Sequence, residues 1–213
     1  MEKLNIFKSA SLIFKDKIKG YLMCNEKRYK KSLQVHPIGG KIEPIDRDIL
    51  ETAIREFIEE TNYEHNDLYN INKKTKNELI DELYNHLNQE KNIFKYIDVF
   101  VSKKFNYIHR FYVVKIEKIK SKELINILDN FLDNHKEGPN KEIESLCWID
   151  IKTTCKKQIK SSNIINSNEL INSINEISEN INTITLLDES NISQQLNLSE
   201  LSKMFFRIKI KKR

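Results

Sequence analysis

A short acidic run carries the strongest chemical signal in the sequence. In Arg55-Glu56-Phe57-Ile58-Glu59-Glu60, helical spacing of about 100° per residue places Glu59 and Glu60 within roughly 60° of Glu56. Apolar and small residues share the opposite face: Leu50, Ala53, Ile54, Phe57, Ile58 and Thr61. Carboxylates at this density repel one another and suit Mg²⁺ or Mn²⁺, which bridges phosphate oxygens. The run predicts a metal and pyrophosphate site, against the alternative of an amphipathic helix with a solvated acidic face.

A glycine loop precedes this helix. In Pro37-Ile38-Gly39-Gly40-Lys41, the two glycines have access to backbone angles that are closed to other residues, so the backbone can approach a cation closely. Asp46 or Asp48 is expected to cap the helix. Loop, cap and acidic helix thus follow one another in the order that a phosphate site needs.

Residues 40–63 resemble the Nudix box, which reads G, five residues, E, seven residues, REUxEExGU, with U a bulky apolar residue. The resemblance implies a Nudix hydrolase that cleaves a nucleoside diphosphate linked to a group X. It also implies roles for particular residues. Gly40 would contact substrate, Gly39 would offer its carbonyl to the metal, and Arg55 would orient the first acidic residue of the box. Glu56, Glu59 and Glu60 would bind Mg²⁺ or Mn²⁺, one of them also serving as base, and Lys41 would offset negative charge on the substrate.

The box departs from the family pattern at two positions. Asp46 stands in place of the first glutamate, and eight rather than seven residues separate it from Arg55. Two partners for Arg55 therefore stay open, Asp46 and Glu51, the latter one helical turn away. Asn62 replaces the closing glycine and tolerates the left-handed conformation that a helix end needs. Nudix enzymes also often carry an acidic residue before the last strand, and Glu144 or Glu142 occupies that place, with solvent-facing acids as the alternative.

The rest of the pattern predicts an α/β fold, a Nudix-type α/β/α sandwich with a mixed sheet. The predicted elements are a hairpin at 7–14 and 18–24, a helical insertion at about 64–90, strands at 93–101 and 107–116, a helix at 122–134 and a strand at 143–151. The Nudix domain is expected to span 1–152. Residues 153–213 are expected to form a helical extension, partly disordered, with helices at 169–177 and 198–206 and a basic tail from Arg207.

The composition of the chain bears on its cellular compartment and on membrane association. The chain has 213 residues and a net charge of +5, and no apolar stretch approaches the ~20 residues of a membrane span. A cytoplasmic protein without a membrane or an obligate protein partner is expected. The three cysteines lack metal-ligand spacing, which favours a reducing compartment, and Cys147 is expected to be packed. His36 lies beside the glycine loop, where a structural role is favoured and substrate contact is the alternative, whereas His109 is expected to be a strand residue.

The Nudix box does not identify the group X of the substrate. The sequence is similar to the Nudix decapping enzymes of poxviruses and related large DNA viruses in its GGK loop, its irregular box spacing, its helical stretch before the last strand and the Glu-Ile pair of Asn140-Lys-Glu-Ile-Glu-Ser-Leu. This similarity and the basic balance favour capped RNA, with Phe105, Tyr107 and Tyr112 as candidates to stack on the methylated guanine. The alternatives are a small nucleotide substrate, such as ADP-ribose, a dinucleoside polyphosphate or a nucleoside triphosphate, and a non-catalytic module that binds nucleotide or RNA.

Overall fold

A computed structural model of the chain describes residues 7–26, 34–61, 75–89, 94–102, 107–120, 122, 125–126, 143–149, 183–187 and 193–211. The strands in these ranges are β1 Phe7–Asp16, β2 Gly20–Glu26, β3 Gln34–His36, β4 Gly39–Lys41, β5 Phe94–Ser102, β6 Tyr107–Lys115, β7 Ile143–Ile149, β8 Thr183–Leu187 and β9 Ser193–Leu198. The helices are α1 Ile49–Glu60, α2 Lys76–Gln89 and α3 Glu200–Lys211, with a short 3-10 helix at Ile116–Lys118.

β1 and β2 form an antiparallel hairpin that opens into a fork. Next to the turn, Lys15 pairs with Tyr21 and Asp16 with Gly20. Further along, β4 takes the same edge of β1, and β3 takes the corresponding edge of β2. β6 runs parallel to β1 along its other edge, and β5 lies outside β6. β7 pairs with β2, while β9 and β8 extend the sheet beyond β3. The sheet is therefore mixed, and the fork places the glycine loop beside its central strand.

Alternate residues of β1 serve two separate cores, because successive side chains of a strand point to opposite faces. Leu12 and Phe14 pack with α1 and α2 on one face, where the rings of Phe14 and Phe57 meet edge to face at 5.1 Å. Ile13 packs on the other face with α3, which contributes the fully buried Phe205. We call these the α1 face and the α3 face of the sheet. Helices on both faces of a mixed sheet confirm the predicted fold class.

Helix α1 begins where Asp48 caps it. The Asp48 carboxylate accepts hydrogen bonds from the backbone N–H groups of Leu50 and Glu51, which satisfies donors that lack helical partners. The predicted apolar face is buried along its whole length. At the other end the backbone N–H of Thr61 donates to Phe57. Asn62 lies outside the described residues.

The predicted hairpin is present, with its turn displaced by two residues. Ile18, predicted to begin the second strand, lies in the turn and is 86% exposed. The turn forms there because the Asp16 carboxylate accepts hydrogen bonds at 2.7 Å from the backbone N–H groups of both Ile18 and Lys19. The helical insertion is confirmed as α2, although residues 62–74 lie outside the described part. Of the helix predicted at 122–134, the described residues 122, 125 and 126 are helical.

The prediction of a purely helical C-terminal extension is wrong. Helix α3 matches the helix predicted at 198–206, but β8 and β9 precede it, and Leu198 ends a strand instead of starting a helix. β9 pairs in parallel with β3, where Val35 lies opposite Leu198. The helix predicted at 169–177 lies outside the described residues. The division at residue 152 stays a prediction, and the segment beyond it contributes strands to the same sheet.

None of the helices in the described ranges is long and apolar enough to cross a membrane. Cys24 and Cys147 are buried and form no disulfide bond, and burial raises the pKa of Cys147 to about 12. The packed position predicted for Cys147 is confirmed. Cys155 lies outside the described residues.

Candidate active site

Arg55 is the centre of the polar network on the α1 face. Its side chain is 3% exposed, and Nε donates to Asp46 Oδ1 at 2.8 Å while Nη2 donates to Asp46 Oδ2 at 3.1 Å. Nη1 donates to Glu56 Oε1 at 3.0 Å and to Glu59 Oε2 at 2.9 Å. Nη2 also donates to the carbonyl of Lys41 at 2.9 Å. One guanidinium thus fixes the glycine loop, the segment before α1 and two box carboxylates relative to one another.

Asp46 is the partner of Arg55, which decides between the two predicted partners. Its carboxylate is 1% exposed and also accepts hydrogen bonds from the Glu43 backbone N–H at 2.8 Å and from Thr52 Oγ1 at 2.9 Å. Glu51 pairs instead with Arg47. The extra residue in the box is therefore accommodated in the loop before α1, from which Asp46 reaches Arg55.

Burial and charge act in opposite directions on this pair. Burial alone would lower the pKa of Arg55, but the hydrogen bond to Asp46 and the charges of Glu56, Asp46 and Glu59 outweigh it and raise the pKa. Burial would likewise raise the pKa of Asp46, but the hydrogen bonds from Arg55, Glu43 and Thr52 lower it overall. Both groups are charged at neutral pH, and the pair stays intact there.

Glu56 lies directly against Gly40. A Cβ atom added to Gly40 would come within 2.3 Å of the Glu56 carboxylate, so the absence of a side chain at this position makes room for that carboxylate. Burial raises the pKa of Glu56, and the nearby charges of Glu59 and Glu43 add to this effect against the opposing charge of Arg55. The carboxylate is therefore held where its negative charge is incompletely compensated.

The two other box glutamates contact different parts of the structure. Glu59 pairs with Lys76 of α2 in addition to Arg55. Glu60 accepts a hydrogen bond from the backbone N–H of Gly39 at 3.2 Å. In the part of the chain that the structure describes, no group of three or more His, Cys, Asp or Glu side chains stands ready to hold a metal ion. Arg55 and Lys76 supply the cationic charge beside Glu59.

Gly39 has backbone requirements of its own. Its φ of 155° is rarely adopted by residues with a side chain, and a Cβ there would lie 2.2 Å from the carbonyl oxygen of Ala10. Gly39 pairs with Ser11 and Gly40 with Ala10 across β4 and β1. The two glycines therefore let β4 pass closely between the central strand and α1.

Of the two candidates for the additional acidic residue, Glu144 lies within the described strand β7. Glu144 lies in β7 at an irregularity in the pairing with β2, where Asn25 lies opposite Ser145 and Glu26 opposite Ile143. A β-bulge of this kind changes the direction of the strand locally. Glu142 lies outside the described residues.

A cleft of about 540 Å³ opens at the glycine loop and extends to α3. Its lining includes Lys8, Ser9, His36, Gly39, Gly40, Lys41, Tyr107, His109 and Leu201. Lys41, predicted to contact substrate, lies at this cleft and is exposed. His36 also lines it, with Nδ1 2.7 Å from the carbonyl oxygen of Pro37. The volume is in the range of pockets that hold a small organic ligand.

His109 forms a neutral wall of the cleft. It is 1% exposed, with Nδ1 2.7 Å from Ser9 Oγ and Nε2 3.0 Å from Ser11 Oγ. Burial lowers the pKa of His109 to about 3, with a smaller contribution from the charge of His36. A neutral imidazole donates one hydrogen bond and accepts one, which matches its two hydroxyl partners.

The three aromatic residues proposed to stack on a base have different positions. Tyr107 lines the cleft and is half-buried. Tyr112 is 5% exposed and belongs to the core on the α1 face, so it is not available for stacking. Burial raises its pKa. Phe105 lies outside the described residues.

Comparison with known proteins identifies the family of the chain. The model of the NUDIX domain family matches residues 8–163, which is most of the chain. The chain belongs to the Nudix family. It is a hydrolase of pyrophosphate bonds, and the predicted enzyme class is confirmed. A solved NUDIX hydrolase from Nitrosomonas europaea is similar with a TM-score of 0.36 and 11% identity, over 78% of this chain and 87% of that one. No curated relative matches. The family assignment rests on the domain match.

Several residues of the Nudix site had no distinguishing sequence signal. Lys76 is one lysine among many, and its contact with Glu59 spans 17 positions. Ser9 and Ser11 alternate with apolar residues in β1, a pattern that marks a strand without indicating a buried polar pair. Thr52 is buried in α1 next to Asp46, and the capping region before α1 was the one clue to its role.

Proposed function

We propose that this Nudix hydrolase uses Mg²⁺ or Mn²⁺ to cleave the 5′ cap of RNA. The proposed reaction rests chiefly on the position of the Glu56 carboxylate, which lies in the space beside Gly40. It lies next to Glu59 on the same side of α1, and Arg55 holds both. The cleft on the other side of the glycine loop provides room for the nucleoside.

The donor chemistry fits a divalent cation. Glu56, Glu59 and Glu60 offer hard oxygen ligands from about one turn of helix α1. The backbone N–H of Gly39 donates a hydrogen bond to Glu60. The incompletely compensated charge of Glu56 favours the binding of a cation. Those three carboxylates, with the Gly39 carbonyl, would hold the ion, and Lys76 competes for Glu59. A bound ion would neutralise the diphosphate and lower the pKa of water.

The residues of the chain supply positioning and proton transfer. Arg55 keeps the carboxylates at fixed separation, so little reorganisation is needed when substrate binds. Glu56 is placed to accept the proton of the attacking water, because an anion held in a partly desolvated site is a stronger base than one in water. Glu144 is the second candidate for this base. Lys41 offsets charge on the phosphates from the cleft side.

Capped RNA is favoured over a free nucleotide by the distribution of positive charge. Lys8 and Lys41 are exposed at the cleft, and within the described residues neither has an ion-pair partner. Leu201 of α3 lines the same cleft, and residues 207–211 of the basic C-terminal sequence form the end of this helix. A chain with net charge +5 and such a helix can bind phosphates beyond the first nucleotide.

A small nucleotide substrate is the second candidate. The observation that favours it is the volume of the cleft, which at about 540 Å³ accommodates one nucleotide without further contacts. ADP-ribose, a dinucleoside polyphosphate or a nucleoside triphosphate would each fit this size class.

Rates with matched substrates distinguish the two candidates. Capped RNA, the free cap dinucleotide, ADP-ribose and nucleoside triphosphates are compared with Mg²⁺ or Mn²⁺ over a salt series. We expect capped RNA to be cleaved most efficiently at low salt, with its advantage over the dinucleotide shrinking as salt rises and after deletion of residues 207–213. Uncapped RNA should compete. Faster cleavage of a small nucleotide at every salt concentration, without inhibition by uncapped RNA, would establish the second candidate.

A further inference from the structure

The outer edge of the sheet carries exposed aromatic rings on the α1 face. Along β5, Ile97 and Val99 are buried against the core of the α3 face. The residues that alternate with them have the opposite orientation, and of these Tyr96 and Phe100 are 60% and 53% exposed. Exposed rings of this size on a strand do not contribute fully to a core, so their placement calls for a binding partner.

Arg110 lies close to two aromatic rings, those of Tyr96 and Phe7. It lies opposite Asp98 across β5 and β6, with Nε 2.7 Å from Oδ1 and Nη2 2.8 Å from Oδ2. Its Cζ atom lies 4.3 Å from the ring centroid of Phe7 and 4.4 Å from that of Tyr96. The hydrogen bonds fix the guanidinium and Asp98 offsets its charge. We call Phe7, Tyr96, Phe100 and Arg110 the aromatic platform.

Arg110 of the aromatic platform is aligned across the sheet with Gly40, the residue that Glu56 of α1 contacts. Arg110 pairs with Ala10 of β1, and Ala10 pairs with Gly40 of β4. Two strand spacings separate Arg110 from Gly40, which is roughly 10 Å. Glu56 contacts Gly40 from the α1 face, the face on which the platform rings lie. A strand of RNA with its cap at Glu56 can therefore reach these rings.

Positive charge lies at the same end of β1. Lys41 is opposite Ser9, and the backbone N–H of Ile42 donates to the carbonyl of Lys8 at 3.0 Å, which brings the two exposed lysines next to each other. Phe7 of the platform precedes Lys8 directly. The lysines line the cleft on the α3 face and the rings lie on the α1 face, so a single strand that passes around this end of β1 would meet both. Rings and lysines in this arrangement match a ligand that has planar bases joined by phosphates.

We propose that the aromatic platform stacks unpaired nucleobases of the RNA body. The inference rests on the proposed function for the class of substrate, and it assigns a surface outside the reacting site. Asp98 offsets the charge of Arg110, so the platform contributes stacking, while Lys8 and Lys41 contribute attraction to phosphate.

Binding of a short, uncapped, fluorescein-labelled single-stranded RNA to the full chain tests the proposal. Fluorescence anisotropy is measured for wild type, Tyr96→Ala with Phe100→Ala, and Tyr96→Phe. Because stacking of a base on an aromatic ring contributes about 1–3 kcal/mol, we expect at least about tenfold weaker binding for the double variant. Tyr96→Phe keeps the ring and should bind as wild type does. Ile18→Ala, an exposed apolar residue at the opposite end of β1, is the matched control.

The salt dependence separates stacking from charge. The double variant should lose the same factor at low and high salt, because the platform carries a neutralised arginine. Lys8→Gln should instead reduce the slope of log affinity against log salt by about 0.7, the value for one phosphate contact on a single strand.

Two results would overturn the platform assignment. One is unchanged RNA affinity in the double variant with an intact thermal melt. The other is loss of self-association in the double variant by sedimentation, which would make the platform a contact between copies of the chain. Failure of wild type to cleave any capped substrate would refute the proposed function. Because that result comes from hydrolysis rates and the platform is tested by RNA binding, the two failures are distinguishable.

Discussion

On the α1 face of β4 the buried polar groups are charged, whereas on the α3 face they are neutral. Arg55, Asp46, Glu56 and Glu59 form ion pairs beside the glycine loop. A few residues away, His109 is satisfied by serine hydroxyls. In the proposed function, the charged side would bind the reacting phosphates and the neutral side the uncharged base. A single short strand separates the two environments, so changes on either side should have different signatures.

The largest effect is expected from Arg55→Met. This change leaves Asp46 buried without its cationic partner, and breaking a buried pair in this way costs about 3–5 kcal/mol. Urea unfolding measures the loss. Arg47→Met is the matched control, because Arg47 is 45% exposed and its pairs with Glu51 and Asp81 contribute about 0–1 kcal/mol. Equal losses in both variants would show that the Arg55 network is solvated in the protein.

Glu59→Gln and Glu60→Gln should each reduce turnover by at least ~10²-fold. Removing a charged group that supports metal-assisted stabilisation of the transition state has an effect of this order. Glu59 is 32% exposed, so the fold should be retained. Steady-state rates with Mg²⁺, together with thermal melts, test both statements. Glu117→Gln, an exposed glutamate away from α1, should leave the rate unchanged. Wild-type turnover in either box variant contradicts a metal role for that glutamate.

The neutral side should be visible in the pH dependence of stability. The pKa of His109 is about 3 in the folded protein and near 6.5 unfolded, so the unfolded chain binds one more proton between these values. Stability should therefore fall with a slope of up to ~1.4 kcal/mol per pH unit as pH drops from 6.5 toward 3. His109→Gln removes the titrating group and should flatten this slope. Urea unfolding at a series of pH values provides the measurement, and an unchanged slope would show that His109 titrates normally.

The smallest effect is expected from Glu56→Gln in metal-free protein. Burial and neighbouring carboxylates raise the pKa of Glu56, so the charged form is disfavoured there, and neutralising it should leave stability equal or raise it by up to about 1 kcal/mol. Adding Mg²⁺ should stabilise wild type more than the variant. Thermal melts with and without Mg²⁺ decide this. Marked destabilisation of the metal-free variant would mean that the Glu56 charge is fully compensated.

Much of the charged side could be predicted from the sequence, because it is encoded locally. Helical periodicity gave the buried face of α1 and placed Glu56, Glu59 and Glu60 together. The spacing of Asp46 did not decide whether Asp46 or Glu51 pairs with Arg55. The path of the loop before α1 depends on hydrogen bonds that Asp46 accepts from Thr52 and from the Glu43 backbone. Local patterns do not report such contacts.

The parts that sequence analysis missed depend on long-range pairing. β9 reads Ser-Gln-Gln-Leu-Asn-Leu, a polar segment that becomes a strand by pairing with β3. β8 is richer in β-type residues, but it lies in a Ser- and Asn-rich region that favoured helix or disorder. Tyr96 and Phe100 looked like ordinary strand residues, because alternation does not reveal which face lacks a covering helix.

The pairing of β3 with β9 has a consequence for synthesis of the chain. Ser202 Oγ and the backbone N–H of Ser199 both donate to the carbonyl of Val35, and Ser202 follows Val35 by 167 residues. At about 5–20 residues per second, a ribosome needs roughly 8–33 s to produce that interval. During this time the nascent β3 edge has no β9 to pair with and is open to intermolecular pairing. Overexpression that outpaces chaperones should therefore yield aggregates nucleated at 34–36, and a lower expression level or added chaperones should increase the soluble yield.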